Sequence, residues 1–432
     1  MTHKEKFTFA GLIIWILASF FYLYEFFLRV FISTISDQVI EEFNLTAQEF
    51  SIMGAGYYLT YSLMQIPVGI LVDRYGARIL LTIAVILASI GGVWFAFAHD
   101  FKIGFISRCF MGFGSSFAYV CLLVLALNWF PKKHFGLMVG IANFLGAFGP
   151  FMAGGPLSLI LTLFHNNWRY VLVIIGVSGI ALAIAIGIFV RNAPSRRKGE
   201  IIFLDPYKES LSTRLLLLIK NPQAWFIVLH AGILYVCLPL LGAYWGVSFL
   251  KARGLTRDVA ASISSMLWVG FAIGAPLTGK ISDSIKRRKP LMLFCAFLGI
   301  VASGLAVYWP TTPILVYGTL FLCIGFASSG ISVSVAIISE HVESKLHATA
   351  IGLNNSITTF LAAIIPLIVS SFIQYSVKNG NDSALTVANF KAGLFLMPII
   401  YLISFLICLF FVRETYCRSQ FQVIKIKAKR RG

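Results

Sequence analysis

The stretch NLTAQEFSIMGAGYYLTYSLMQIPVGILVD (residues 44–73) recurs without gaps as GLTRDVAASISSMLWVGFAIGAPLTGKISD (254–283). Two later matches keep the same register: MGFGSS (111–116) with IGFASS (324–329), and GIAN (140–143) with GLNN (352–355). The offset between the copies stays between 210 and 213 residues. We therefore predict that one structural unit is duplicated along the chain.

The composition predicts an integral membrane protein. Of 432 residues, 58% are hydrophobic and only 12% are charged, with a mean hydropathy of +0.86. Soluble domains carry about 25% charged residues, and a helix needs about 20 mostly apolar residues to cross a bilayer. Apolar runs of that length recur along the whole chain.

Twelve of these runs are the predicted spans, near residues 8–33, 48–71, 79–98, 102–127, 135–162, 169–190, 223–249, 257–280, 290–309, 313–338, 347–373 and 391–412. We expect an all-α membrane protein with 12 transmembrane helices in two parallel six-helix halves. The expected organisation is an N-terminal half (1–190), a cytoplasmic linker (191–222), a C-terminal half (223–412) and a basic cytoplasmic tail (413–432). Such halves are a transporter architecture, with the substrate site between them near the bilayer midplane.

The positive charge predicts the orientation. With the N-terminus inside, the cytoplasmic segments hold 26 lysines and arginines and the outer loops hold seven. Positive residues accumulate on the cytoplasmic side of membrane proteins. We therefore expect both termini in the cytoplasm, in the inner membrane of a bacterium. The net charge of +18 then reflects orientation and attraction to anionic lipids rather than a nucleic-acid partner.

Neither the cysteines nor the glycine-rich segments indicate a cofactor. Six of the seven cysteines lie in apolar runs and none forms a CxxC pair, so no metal site is expected. GAPLTGKI (274–281) looks like a P-loop, but Ile281 replaces the required Ser or Thr, and the stretch ends a span. We expect no enzyme activity, and an ion gradient as the driving force.

The connection between spans 2 and 3, GILVDRYGAR (69–78), carries a charged motif. Its first glycine allows close helix approach, its aspartate can face the positive end of a helix, and its arginines can bridge to carbonyls or acids. The stretch resembles the loop 2–3 signature of the major facilitator superfamily, G-x-L-x-D-R-x-G-x-R, and GKISDSIKRR (279–288) echoes it. The predicted cytoplasmic gate comprises Gly69, Asp73, Arg74, Arg78 and Asp283.

Two further stretches extend the resemblance. RCFMGFG (108–114) is similar to the R-x-x-x-G-x-G motif of that superfamily. GPFMAGG (149–155) is similar to its exporter signature G-P-x-x-G-G, with one residue too many, so the resemblance does not imply export. The alternative for these glycines is helix packing alone. The resemblance covers the whole chain and implies a secondary active transporter that works by alternating access.

The stretch YLYEFFLRVF (22–31) places Glu25 and Arg29 inside span 1. Each charge at a bilayer centre costs about 2.5–3.5 kcal/mol. At a spacing of four residues they share one helix face. They are either a self-neutralising pair that faces neighbouring helices, or they line a cavity. In the second case Arg29 binds an anionic substrate group and Glu25 is the proton-coupling site.

The segment 22–78 resembles the anion–cation symporter branch, in which a span 1 arginine holds an organic anion. Residue 28 is leucine here, where many members have aspartate, and the acid lies one turn earlier at Glu25. Substrate class therefore stays open between a small organic anion and a zwitterion, such as a sugar acid, carboxylate, amino acid or peptide.

Other candidates lie on spans 2, 4 and 7. On span 2, Tyr57, Tyr61 and Gln65 share one helix face, which either lines the cavity or packs against neighbouring helices. The span 4 arginine is a second substrate contact, a partner for Glu25 or an anchor at the outer interface. The span 7 histidine has an alternative as a hydrogen-bonded interior residue. The predicted substrate-binding residues are Arg29, Tyr57, Tyr61, Gln65, Arg108, His230 and Tyr235.

The favoured function is proton-coupled uptake of a small organic anion or zwitterion. We expect a monomer whose partners are membrane lipids, protons and the small-molecule substrate. The alternative is a proton-driven exporter of drugs, metabolites or a siderophore-like acid. A receptor on a transporter scaffold is a third class, which the lack of a large soluble segment disfavours.

Overall fold

A computed structural model describes residues 8–130, 135–193, 216–311, 313–343, 346–380 and 385–418. Most of the predicted linker and tail lies outside these residues. Every regular element among them is a helix. The chain divides into two compact units, Met1–Pro206 and Tyr207–Gly432, and this boundary falls within the segment predicted as the linker.

The first unit contains six spans. They are span 1 (Phe9–Val30), span 2 (Ala47–Tyr75), span 3 (Ala77–Ala96), span 4 (Phe101–Ser115 with Ala118–Trp129), span 5 (Phe135–Ala153 with Gly155–Leu163) and span 6 (Trp168–Phe189). Span 1 continues as a 3₁₀ turn, Phe31–Ser33, and the short helix Ser36–Glu42 separates it from span 2.

The second unit repeats this order. Its spans are span 7 (Pro222–Tyr235 to Gly246–Ala252), span 8 (Arg257–Ile285), span 9 (Lys289–Tyr308), span 10 (Ile314–Ser328 with Ile331–His341), span 11 (His347–Gly380) and span 12 (Val387–Leu394 with Leu396–Phe410). A six-residue π-helical segment, Leu240–Trp245, lies in the second part of span 7.

The number of helices that can cross a membrane agrees with the sequence. Among the described residues, ten helices are long and apolar enough, and eleven when the bent span 5 is counted as one. Span 2 is the twelfth, because its 29 residues extend over roughly 44 Å. The predicted all-α fold with twelve spans is therefore confirmed.

Local sequence explains where span 2 begins and ends. The hydroxyl of Thr46 accepts from the backbone N–H of Glu49, whose side chain accepts from the backbone of Thr46, so a capping box starts the helix. Gly76 ends it with φ +79° and ψ 154°, a conformation that is essentially restricted to glycine. A Cβ atom at Gly76 would also overlap the side chain of Asn192.

Repeat-related glycines bring helices into close contact in both units. A Cβ at Gly112 would overlap the carbonyl oxygen of Tyr57, and one at Gly325 would overlap that of Leu267. The two contacts are related by the internal offset, so these glycines serve helix packing. At Gly69, in contrast, a Cβ would meet no heavy atom of the described residues within 4 Å, and the role of Gly69 in the predicted gate stays a prediction.

The helix of span 5, predicted as a span near residues 135–162, is interrupted. It bends by 42° between Ile141–Ala153 and Gly155–Leu163. Pro150 and the glycines that follow it weaken the helical hydrogen-bond ladder at this point. The hydroxyl of Thr34, beyond the end of span 1, donates to the carbonyl of Ala153 at 2.6 Å and satisfies one of the groups that the bend frees.

Candidate functional site

Glu25 and Arg29 form an ion pair inside the first unit. Nη2 of Arg29 lies 3.2 Å from Oε1 and 3.0 Å from Oε2 of Glu25. Glu25 is 0% exposed and Arg29 is 3% exposed, so both charges are removed from solvent. The pair predicted from the four-residue spacing therefore forms, and whether it also binds substrate stays a prediction.

Aromatic rings enclose the Arg29 guanidinium. Its carbon lies 4.3 Å from the ring centroid of Phe26 and 4.4 Å from that of Tyr61. The rings of Tyr57 and Tyr58 are 5.7 and 5.9 Å away. A desolvated cation over aromatic faces gains about 2 kcal/mol, so the rings offset part of the cost of burying Arg29.

The predicted face of span 2 adjoins this pair. Tyr57, Tyr61 and Gln65 are all buried, and the rings of the two tyrosines stack at 6.3 Å with an interplanar angle of 13°. The hydroxyl of Tyr57 lies 2.8 Å from Oε2 and 2.9 Å from the backbone carbonyl oxygen of Glu25. Span 2 thus supplies a second hydrogen-bond donor to the acid of span 1.

Arg108 holds the end of span 1. Its Nη1 donates to the carbonyl of Leu28 at 2.6 Å, and its Nη2 donates to the carbonyl of Arg29 at 3.2 Å. Span 1 changes to a 3₁₀ turn after Val30, where the last helical carbonyls need donors from elsewhere. Because Arg108 is 0% exposed, it does not act as an anchor at the outer interface, which was one of the three predicted roles.

A further group of polar and aromatic residues was not predicted as part of the site. The rings of Tyr22 and Tyr119 stack at 5.2 Å, and the hydroxyl of Tyr119 hydrogen-bonds to the side chain of Asn143 on span 5. Tyr22, Phe26 and Arg29 follow one another at spacings of four and three residues, so helical periodicity alone could have placed these three on one face.

In the second unit, His230 forms hydrogen bonds with Ser404 on span 12. Its Nδ1 atom lies 2.9 Å from both the hydroxyl and the carbonyl oxygen of Ser404. Its Nε2 atom has no hydrogen-bond partner among the described residues. Tyr235 is also buried, with its ring 6.1 Å from that of Phe271. The hydrogen-bonded interior role of His230 is therefore present, and contacts of His230 and Tyr235 with substrate stay predictions.

The predicted gating arginines have partners within their own units. The guanidinium of Arg78 donates to the carbonyl of Gly187 at the end of span 6, and that of Arg74 lies 5.3 Å from the ring of Tyr75. In the second unit Asp283 pairs with Arg288. The side chain of Asp73 lies outside the described part of the structure, and gating by these residues stays a prediction.

Twelve spans, a duplicated unit and paired charges buried among helices define a membrane transport protein. The chain belongs to the major facilitator superfamily, because the model described as Major Facilitator Superfamily matches residues 14–366 and 247–423. Its members transport small molecules, so the protein is a transporter and not an enzyme.

Similar proteins agree with this assignment. The probable L-galactonate transporter of Escherichia coli (strain K12) is 26% identical over 358 residues, which cover 77% of this chain and 76% of that protein. The hexuronate transporter of Bacillus subtilis (strain 168) is 22% identical over 283 residues, covering 63% and 67%. A bacterial homologue of the human lysosomal transporter Spinster superposes with a TM-score of 0.76 at 17% identity, covering 93% of this chain and 96% of that one, which shows the fold.

Proposed function

We propose that the protein imports a small organic anion of the sugar-acid class together with protons. The observation that carries this proposal is the Glu25–Arg29 pair, buried in span 1 and enclosed by aromatic rings. Removing one partner of a buried pair and leaving the other charged costs about 3–5 kcal/mol. An anion that engages Arg29 must therefore be accompanied by a change at Glu25.

Proton uptake is the change that balances the charge. A guanidinium matches a carboxylate through two parallel hydrogen bonds, so a substrate carboxylate can replace Glu25 as the partner of Arg29. Glu25 then takes up a proton, because a buried carboxylate without its cation is unfavourable. When the substrate leaves, Arg29 pairs with Glu25 again and the proton is released. Substrate and proton thus cross together.

Two observations support sugar acids as the substrate class. The relatives named above are a probable L-galactonate transporter and a hexuronate transporter, and each of these compounds combines one carboxylate with several hydroxyl groups. In this chain, hydroxyl and amide groups of Tyr22, Tyr61, Tyr119 and Asn143 lie on the helices around Arg29. They are suited to hydrogen-bond the hydroxyls of a substrate whose carboxylate is at Arg29.

Uptake by reconstituted protein tests the proposal. In proteoliposomes, an inward proton gradient should drive uptake of L-galactonate or glucuronate. Arg29→Ala should abolish uptake, while Arg257→Ala, at the start of span 8, should leave it near the wild-type rate. Full transport by the Arg29→Ala protein would contradict the proposal.

A second variant separates proton coupling from substrate binding. Glu25→Gln should still exchange labelled for unlabelled substrate across the membrane, but it should no longer respond to the proton gradient. A zwitterionic substrate, with its ammonium at Glu25 and its carboxylate at Arg29, would bind without a proton. In that case uptake by the wild type would be independent of the gradient.

Export is the second candidate, because residues 149–155 resemble the exporter signature apart from one extra residue. An exporter that exchanges protons for substrate would release preloaded L-galactonate from proteoliposomes when the proton gradient points inward. Uptake under the same gradient would exclude it for this substrate.

A further inference from the structure

We infer that Tyr57 is a positioning residue that fixes the Glu25 carboxylate, rather than a contact of the substrate. This inference rests on the proposed function, in which Glu25 carries the proton, and it adds a residue that regulates that step. The hydroxyl of Tyr57 lies within hydrogen-bond distance of Oε2 and of the backbone carbonyl of the same residue, Glu25. Tyr57 is fully buried, so this hydroxyl faces the acid and not open space.

Contacts on several sides hold the Tyr57 ring in place. The guanidinium carbon of Arg108 lies 4.8 Å from its centroid, and the ring of Tyr61 stacks parallel to it. The backbone of Tyr57 packs directly against Gly112, where any larger residue would overlap its carbonyl oxygen. The hydroxyl of a ring held in this way stays beside Glu25, with Oε2 at 2.8 Å and the backbone carbonyl oxygen at 2.9 Å.

The other titratable groups near Glu25 come from three elements. Span 1 itself contributes Arg29 and Tyr22, span 2 contributes Tyr61, and span 4 contributes Tyr119 and Arg108, whose donors are directed to the backbone of span 1. Span 5 faces span 1 with glycines at positions 146 and 149. Arg29 and Tyr57 are thus the two side chains whose hydrogen bonds to the Glu25 carboxylate are resolved.

This arrangement gives Tyr57 a distinct role during transport. When a substrate anion engages Arg29, Tyr57 is the donor that still holds the carboxylate. A hydrogen bond donated to a carboxylate favours its charged form. Tyr57 therefore adds to the effect of Arg29 in keeping Glu25 charged before substrate binds, so that proton uptake requires withdrawal of the cation by substrate. Without the hydroxyl, Glu25 should take up a proton at a pH at which the wild type does not.

Infrared spectroscopy of the purified full-length protein in lipid nanodiscs tests this inference without a substrate. The absorption of the protonated Glu25 carboxyl is assigned by its loss in Glu25→Gln. In Tyr57→Phe, the pH at which half of this band has developed should rise by about 1 unit or more. The matched control is Tyr58→Phe, which removes a hydroxyl from the adjacent residue of the same helix and should leave this pH near the wild-type value.

The outcomes separate this inference from the proposed function. An equal midpoint in wild type and Tyr57→Phe, or equal shifts in Tyr57→Phe and Tyr58→Phe, overturns the inference, as does the absence of any Glu25-dependent band. If instead the band shifts as expected but Glu25→Gln still responds to a proton gradient, proton coupling through Glu25 fails and the positioning role stands.

Discussion

Arg108 illustrates how a single buried cation can serve the backbone. Its two terminal nitrogens satisfy carbonyls at the end of span 1, and its positive charge lies at the negative end of that helix. Arg169 acts similarly at the end of span 3, where its Nη1 donates to the carbonyls of Ala96 and Ala98 while its other nitrogens bond to Glu42. Only Arg108, however, acts on the turn that carries Arg29.

Substituting these two arginines distinguishes an effect on the stability of the fold from an effect on substrate binding. We expect Arg108→Leu to lower the thermal unfolding midpoint of the solubilised protein, because each carbonyl left without a donor costs about 1–3 kcal/mol. It should also raise the KM for uptake, since the Arg29 backbone loses its support. Arg108→Lys keeps the charge but has a single donor nitrogen, so its unfolding midpoint and KM should lie between those of Arg108→Leu and the wild type.

Arg169→Leu is the matched control. It removes the donor of two carbonyls at the end of span 3, together with the ion pair to Glu42, and should lower the unfolding midpoint while leaving KM unchanged. If both leucine variants changed KM equally, a special role of Arg108 at the site would be excluded.

The ion pair was predictable from the sequence, but the residues that surround it were not. The four-residue spacing was enough to predict contact between Glu25 and Arg29, because both lie on one helix. The donor role of Arg108 depends on the helix ending at Val30, and the stacking of Tyr119 on Tyr22 depends on the packing of spans 1 and 4. Neither is encoded in local periodicity.

At the scale of elements, a side chain beyond the last span of each unit caps the start of that unit's third span. The capping group is a neutral amide in the first unit and a carboxylate in the second. Asn192, beyond span 6, accepts the backbone N–H of Arg78 at 2.8 Å, and Glu414, beyond span 12, accepts that of Arg288 at 2.9 Å. Arg78 and Arg288 are related by the offset of 210 residues. Burial acts to raise the pKa of the Glu414 carboxyl, but backbone N–H groups that donate to it hold this pKa below its ordinary value.

The two caps should differ in their response to pH. Because the pKa of Glu414 is lowered by folding, its stabilising effect is complete above its unfolded pKa of about 4.3 and is lost as the pH falls through the lower folded value. Glu414→Ala should therefore lower the unfolding midpoint at pH 7, and its difference from the wild type should shrink below about pH 4.

The neutral cap provides the control. Asn192→Ala should lower the unfolding midpoint by an amount that does not change over the same pH range, because an amide does not titrate there. A pH-independent deficit for Glu414→Ala would show that its charge does not contribute to the cap.

The positions of the spans were predictable because hydrophobic length and charge define them. Their interruptions were not. The bend of span 5 follows Pro150, and the π-helical segment Leu240–Trp245 follows Pro239. The Thr34 hydroxyl that stabilises the bend lies more than one hundred residues earlier in the sequence. Such pairs become visible only in the folded unit.

At the scale of the whole molecule, the duplication contrasts with an unequal distribution of charge. Glycine contacts and helix caps recur in both units, whereas Glu25, Arg29 and Arg108 lie in the first. At their repeat positions the second unit has Tyr235, Pro239 and Phe321. Packing therefore follows the repeat, and the charged chemistry has developed in one copy, which is why the repeat predicted the fold better than the site.

The orientation of the whole chain gives the last prediction. Moving arginines and lysines across the membrane is unfavourable, so the bias of 26 cytoplasmic against seven outer residues should fix both termini inside. In a Cys417→Ser background, Lys102→Cys should react with a membrane-impermeant maleimide in intact cells. Tyr416→Cys, which is exposed beyond span 12, should react only after the cells are permeabilised. The parent protein gives the background from the remaining cysteines, and the reverse labelling pattern would invert the predicted topology and place the basic C-terminal segment outside the cell.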